Sequence, residues 1–117
     1  MKILWLENNS RFARTVCRSF LAEHEVTVTP IIADARDFLA DEAFDVLLVD
    51  YDLDDGKGDS LVRALRHKTL RPAIVAVSAH QEGNDALLRA GADATCGKLQ
   101  FAEIGQVLAN LPKISKQ

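Results

Sequence analysis

Two cysteines are all the chain holds, Cys17 and Cys96, far apart and without Cys-x-x-Cys spacing. That excludes a disulfide framework and suggests no zinc site. The N-terminal apolar run, Ile3-Leu4-Trp5-Leu6, breaks at Glu7. It is too short for a signal-peptide core or a membrane span, so a cytoplasmic protein without membrane insertion is expected. Positive charge is not in surplus either: 14 lysines and arginines stand against 17 acids. A nucleic-acid surface needs concentrated basic groups, and none is expected here. The pairs Arg14/Arg18 and Arg63/Arg66 lie at helical spacing and read as solvated faces. No repeat, linker or low-complexity segment appears, which implies one domain over residues 1–112 and a polar tail at 113–117.

What is present is ordinary globular material, 48% hydrophobic and 26% charged in 117 residues. A chain of this length buries roughly two-thirds of its extended surface, enough for a core without staples. Short apolar runs alternate with helical patterns throughout. Ile3–Leu6 reads as a strand, followed by possible caps at Asn8, Asn9 and Ser10 and a helix with Phe12, Val16 and Phe20 on its apolar face. Glu25–Thr29 is β-branched and ends at Pro30, and Ala33–Ala40 reads as the second helix. Val46–Val49 is the most continuous apolar strand, as expected for burial on both faces. Asp59 or Ser60 is expected to cap a helix containing Leu61, Val62 and Leu65. Pro72 opens the strand Ala73–Val77, and a short helix through Ala86–Leu88 stops at Gly91. Ala92–Cys96 reads as a weak fifth strand, and Phe101, Ile104, Val107, Leu108 and Leu111 as the last helix. Five rounds of strand then helix give an α/β fold, a doubly wound parallel sheet with helices on both faces. In such sheets the loops at the carboxyl ends of the strands build the site. Those loops carry Glu7 and Asn8, Asp50 onward, Ser78 to His80, and Lys98.

The third strand runs into five aspartates: Asp50, Asp52, Asp54, Asp55 and Asp59. Asp50, Asp52 and Asp54 fall at positions one, three and five of a calcium loop. The glycine needed at position six is Asp55, however, and the bidentate acid needed at position twelve is Leu61. Asp50-Tyr51-Asp52 also resembles the nucleophile motif of haloacid-dehalogenase-type phosphatases, with Ser78 and Lys98 in the right order. The later carboxylates of that family are missing, since only Glu103 remains after the lysine. Asp54 and Asp55 otherwise read as turn formers around Gly56, His80 as a loop residue, and His24 and His67 as surface residues.

A third reading uses all four strand ends. FDVLLVD (44–50) with Gly58 eight residues after Asp50, PAIVAVSAH (72–80) and GADATCGK (91–98) follow one another in this order and spacing. Together they resemble the receiver domain of two-component response regulators, the single-domain chemotaxis-regulator type, over essentially the whole chain. The resemblance implies a flavodoxin-like (βα)5 fold with strand order 2-1-3-4-5. It further implies a regulatory domain rather than an enzyme, with Asp50 as phosphoacceptor for a histidine kinase or histidine phosphotransfer protein. Lys98, Ser78 and the adjacent Ala79 would serve the phosphoryl group. Magnesium would be held by Asp50, the backbone carbonyl of Asp52, Glu7 and Asn8. An output protein would be met on the face of helix four, strand five and helix five.

The chain departs from that pattern at three places. The family's two acids after strand one are here Glu7 and Asn8, so the acidic pocket is atypical and one negative charge is missing. The lysine is followed by Leu99 rather than a proline in a cis bond. A cis bond to leucine would cost about 2.5–4 kcal/mol, so a trans bond or local strain is expected. The aromatic switch position is Thr95, which has no ring to swing. Two readings of different kind follow: a phosphorylatable switch, and a pseudo-receiver that binds partners irrespective of phosphorylation. The phosphatase is a distant third.

Overall fold

The structure is a computed structural model that describes residues 1–112; the expected tail at 113–117 lies outside the described residues. Its main sheet is parallel and contains β1 (Lys2–Leu6), β2 (Glu25–Thr29), β3 (Val46–Val49), β6 (Ala73–Ala76) and β7 (Ala94–Thr95). The spatial order is β2-β1-β3-β6-β7. Two further strands, β4 (Asp52–Leu53) and β5 (Gly56–Lys57), form a separate antiparallel hairpin. With the hairpin set aside, the order is the expected 2-1-3-4-5. The helices are α1 (Ser10–Phe20), α2 (Ile32–Asp41), α3 (Asp59–Leu65), α4 (Gln81–Ala90) and α5 (Ile104–Ala109), the last preceded by a 3-10 turn over Lys98–Glu103. Among the described residues no helix is long and apolar enough to cross a membrane.

Strand periodicity of two sends alternate residues to opposite faces, and each face has its own core. Leu4, Leu6, Leu47, Val49, Ile74 and Ala76 pack with α2, α3 and α4 on one side. Ile3, Trp5, Val46, Leu48, Val75 and Val77 pack with α1 and α5 on the other. Every residue of β3 and β6 is buried, as their unbroken apolar runs demand. Each such Val, Leu or Ile contributes about 1.5–3 kcal/mol on burial. The second core is completed by aromatic packing. Trp5 stacks on Phe101 at 5.2 Å, and Phe12 meets both rings edge-on at 5.9 and 5.8 Å.

Local signals set most boundaries. Asn9 caps α1 by accepting the Phe12 N–H at 3.0 Å, and Gly91, at φ 128°, ends α4. Four expectations need correction. Phe20 is 42% exposed; the buried stripe of α1 is Ala13 and Val16, with Phe12 and Cys17 beside them. Steps of four residues overshoot a turn by about 40° each, so two steps carry Phe20 off the face. Neither Asp59 nor Ser60 caps α3, whose N-cap is Gly58. Asp59 instead pairs with Arg63 at 2.9 Å, and the Ser60 hydroxyl donates to the Lys57 carbonyl. The fifth sheet strand spans only Ala94–Thr95: at its start the Ile74 N–H goes to the side chain of Asp93, although the Asp93 N–H still bonds the Ile74 carbonyl at 2.8 Å. The Asp93 carboxylate accepts the Ile74 N–H at 2.8 Å and takes the Arg71 guanidinium in two bonds of 2.9 and 3.1 Å. Finally, the last α-helix does not start at Phe101: that residue lies in the 3-10 turn, Glu103 at φ −88° and ψ 4° leaves helical geometry, and α5 runs only over Ile104–Ala109.

Candidate functional site

The carboxyl ends of β1 and β3 bring Glu7 and Asp50 side by side, and the 3-10 turn after β7 lays Lys98 across them. Lys98 Nζ donates to Glu7 Oε2 at 2.7 Å and to Asp50 Oδ2 at 2.9 Å. The same ammonium lies 5.2 Å from the centre of the Phe12 ring, a cation–π contact that helps hold it in place. Both carboxylates are deeply placed, Glu7 at 1% and Asp50 at 5% exposure. Asp50 Oδ1 accepts the Tyr51 N–H at 2.8 Å, and Glu7 Oε2 accepts the Asn9 N–H at 3.0 Å. Glu7 Oε1 is buried and has no hydrogen-bond partner.

Two acids and one ammonium leave this cluster one negative charge in excess. Burial lifts the Glu7 carboxyl above its ordinary range, and the charge of Asp50 adds to that, against the pull of Lys98. Burial pushes the Lys98 ammonium down, but its hydrogen bonds to Glu7 and Asp50 and their charges prevail and raise it. A buried carboxylate oxygen without a partner is costly. Hard oxygen donors with surplus negative charge suit a hard divalent cation. Among the described residues, however, no group of three or more His, Cys, Asp or Glu side chains is placed to hold a metal. Any such ion therefore depends on neutral donors as well.

The other sequence-predicted residues are distributed around this cluster. Asn8 and Ala79 are exposed. The Asp52 carboxylate is exposed and ion-paired with Lys57, which leaves only its backbone carbonyl for a ligand role. Ser78 is 4% exposed, and its Oγ accepts the His80 N–H at 3.2 Å. Its carbonyl accepts the Lys98 N–H at 3.2 Å. Thr95 is half-buried in β7. The Lys98–Leu99 bond is trans, and Leu99 is 86% exposed. Glu103, the acid that a phosphatase site would have needed, is exposed.

Three features escape the sequence reading. Asp55 is more than a turn former: it accepts the Ile32 and Ala33 N–H groups at 2.7 and 3.1 Å and so caps α2 from a distance. The bond from Ile32 is the first cause of its carboxyl lying below the usual range. The one available signal was a missing one, since Ile31 at the N-cap of α2 has no side chain that can cap. Asn84 is buried at 7% and bonds both backbone groups of Ser78, accepting its N–H at 2.9 Å and donating to its carbonyl at 3.2 Å. Gly83 lets α4 close on the site: a Cβ there would stand 2.5 Å from Ser78 Oγ.

Solved structures share this fold. A CheY-like response regulator receiver domain protein from Methanospirillum hungatei JF-1 is 19% identical, with a TM-score of 0.78, covering 92% of this chain and 90% of that one. A response regulator from Chloroflexus aurantiacus J-10-fl is 20% identical, with a TM-score of 0.81 and coverage of 93% and 94%. The receiver domain of a sensor histidine kinase from Pseudomonas aeruginosa PAO1 is 24% identical, with a TM-score of 0.79 and coverage of 94% and 95%; it was solved with magnesium coordinated in its active-site cleft. No curated protein sequence matches the chain. Residues 4–104 match the sequence profile of the response regulator receiver domain, and the chain belongs to that family.

Proposed function

We propose that the domain accepts a phosphoryl group on Asp50 from a histidine kinase or histidine phosphotransfer protein and signals by changing its affinity for a partner. The observation that carries this reading is the 2.9 Å bond from Lys98 to Asp50 at the mouth of the central strand. An Asp50 oxygen attacks phosphorus, a P–O bond forms, and the P–N bond to the donor imidazole breaks with its electron pair leaving on nitrogen. The product is an acyl phosphate. Charge in the transition state spreads over the phosphoryl oxygens, and Lys98, already on Asp50, is placed to meet it. The Ser78 oxygen accepts from His80, so its own proton is free to donate to a phosphoryl oxygen. Magnesium, when bound, would neutralise the excess charge of the cluster, held by Asp50, Glu7, the Asn8 amide oxygen and the Asp52 carbonyl. The orphaned Glu7 Oε1 supports that assignment, as does the magnesium in the Pseudomonas relative. Output passes through the face of α4, β7 and α5, where Leu88 and Leu99 are exposed at 43% and 86%. The domain is regulatory and acts in the cytoplasm; its only chemistry is its own phosphorylation and dephosphorylation.

Intact mass after incubation with acetyl phosphate tests the proposal. A magnesium-dependent phosphoryl adduct is expected in the native protein and none in Asp50→Asn. No adduct from acetyl phosphate, and none from a phosphohistidine donor, would establish the pseudo-receiver instead. That second reading draws on the closure of the Glu7–Lys98–Asp50 cluster, in which Lys98 already supplies a cation.

Residue 8 sets the metal affinity. A unit charge about 4 Å from another contributes roughly 4 kcal/mol at an effective dielectric of 20, before desolvation. Asn8 is exposed, so most of that is lost to water. Asn8→Asp is therefore expected to tighten magnesium binding by about tenfold, near 1.4 kcal/mol. Titration calorimetry checks it, and an unchanged affinity removes residue 8 from the ligand set.

A further inference from the structure

We propose that Asn84 is the positioning residue that ties Ser78 to α4 and passes the state of Asp50 to that helix. The proposal rests on the phosphoacceptor reading above, and it answers what replaces an aromatic relay in a chain with Thr95 at that position.

The bonds form a continuous path. Lys98 holds Asp50 through Nζ at 2.9 Å, and its backbone N–H donates to the Ser78 carbonyl at 3.2 Å. The same carbonyl accepts Asn84 Nδ2 at 3.2 Å, while Asn84 Oδ1 accepts the Ser78 N–H at 2.9 Å. One amide side chain on the first turn of α4 thus engages both backbone groups of residue 78. Both residues are buried, Ser78 at 4% and Asn84 at 7%. If Ser78 moved alone toward a phosphoryl oxygen, two buried polar pairs would part with no water to replace them. Moving α4 with it keeps both pairs.

Packing removes the remaining slack. Gly83 puts the backbone of α4 directly on Ser78: a Cβ there would lie 2.5 Å from Ser78 Oγ, 3.1 Å from its Cβ and 3.0 Å from the Cβ of Tyr51. Residue 78 and the start of α4 therefore behave as one body. Leu87 and Ala90 anchor the far end of the helix in the core, while Leu88 faces outward at 43% exposure. A shift of the first turn reorients the surface that carries Leu88.

The test compares native protein with Asn84→Ala and with Asn84→Asp at mildly alkaline pH. The carboxylate of Asn84→Asp still accepts from Ser78 N–H but cannot donate to its carbonyl, and it preserves side-chain size if the alanine variant fails to fold. Each is treated with acetyl phosphate and magnesium, the adduct is measured by intact mass, and the amide resonances of Leu88 and Arg89 are followed by NMR. The displacements are compared per phosphorylated molecule, with the adduct fraction from intact mass as the scale, so that slower phosphoryl acceptance in a variant does not enter the comparison. The phosphorylation-induced displacement of those resonances should fall about twofold or more, the range expected when one link of a coupling network is cut. Full-sized displacements per phosphorylated molecule would overturn the relay while leaving Asp50 as phosphoacceptor. Absence of an adduct in the native protein would overturn both.

Discussion

Gly58→Ala should lower the stability of the domain by about 3 kcal/mol, the upper part of the range for forced overpacking. Two effects oppose each other at this position. The Gly58 backbone is at φ −64° and ψ −23°, a conformation that alanine adopts freely. On that ground alone, alanine would stabilise by about 0.4–1 kcal/mol through the unfolded state. The space decides otherwise. A Cβ on residue 58 would lie 2.1 Å from the Asp50 carbonyl oxygen and 2.9 Å from Val49 Cγ2. The first of these is backbone of the central sheet and has no rotamer to yield. The Gly58 N–H also bonds the Tyr51 carbonyl at 2.7 Å, closing the loop that carries the acidic hairpin. Alanine must push α3 away from the end of β3 and strain that closure. Gly105 supplies the control, since it sits within α5 and a methyl group added there would meet nothing within 4 Å. Gly105→Ala should therefore gain about 0.5–1 kcal/mol. Urea unfolding of both variants reads the two signs directly. Gly58→Ala with native stability would mean that the loop yields where the geometry says it cannot.

How far the sequence led can be judged from particular residues. Val46–Val49 and Ala73–Ala76 were legible as central strands because burial on both faces demands continuous apolar runs, and this signal is local. The carboxyl-end rule then named Glu7, Asp50 and Lys98, which the fold gathers into one hydrogen-bonded cluster across 91 and 48 residues of chain. The cap of α1 at Asn9 was likewise a local matter. Asp55 was not legible in its role, because its partners Ile32 and Ala33 are 23 and 22 residues away and only the docking of the hairpin brings them together. Asn84 gave no signal for the same reason: a polar residue in a helical pattern reads as solvated until the helix is seen to turn it onto Ser78. The exposed Phe20 shows the limit of the hydrophobic pattern itself, since an aromatic at nearly the right spacing still falls outside the stripe. Local propensity and periodicity fixed the elements and the cap of α1; contacts between elements fixed the cap of α2 and the pairing of Asn84 with Ser78.

Lys98→Met, which keeps the length and apolar stem of the side chain, should cost about 3 kcal/mol at neutral pH in metal-free buffer, as expected on breaking a buried ion pair from one side. The ammonium is the side-chain partner of both carboxylates, and its own side chain is only 14% exposed. Without it, Glu7 keeps the Asn9 N–H on Oε2 and nothing on Oε1. The pH dependence separates this loss from a simple packing defect. Glu7 already titrates above its ordinary value of 4.5 in the folded protein, raised by burial and held back by Lys98. Methionine removes the restraint, so the folded value climbs further. Between 4.5 and that folded value the native state binds more protons than the unfolded state, and stability falls as pH rises. The window is wider in the variant, so the deficit relative to the native protein should be smallest at the acidic end and grow to a plateau above it. At the alkaline end the sign reverses. The Lys98 ammonium, raised above 10.5, stabilises the native protein fully below that value and loses its contribution as pH climbs through the folded value. The two stability curves should therefore converge again at high pH. Urea unfolding across the pH range, with a chelator present, gives both ends of the comparison. A deficit that is constant with pH would show that Lys98 contributes packing alone, and that the charge balance of the Glu7–Lys98–Asp50 cluster does not hold this end of the sheet together.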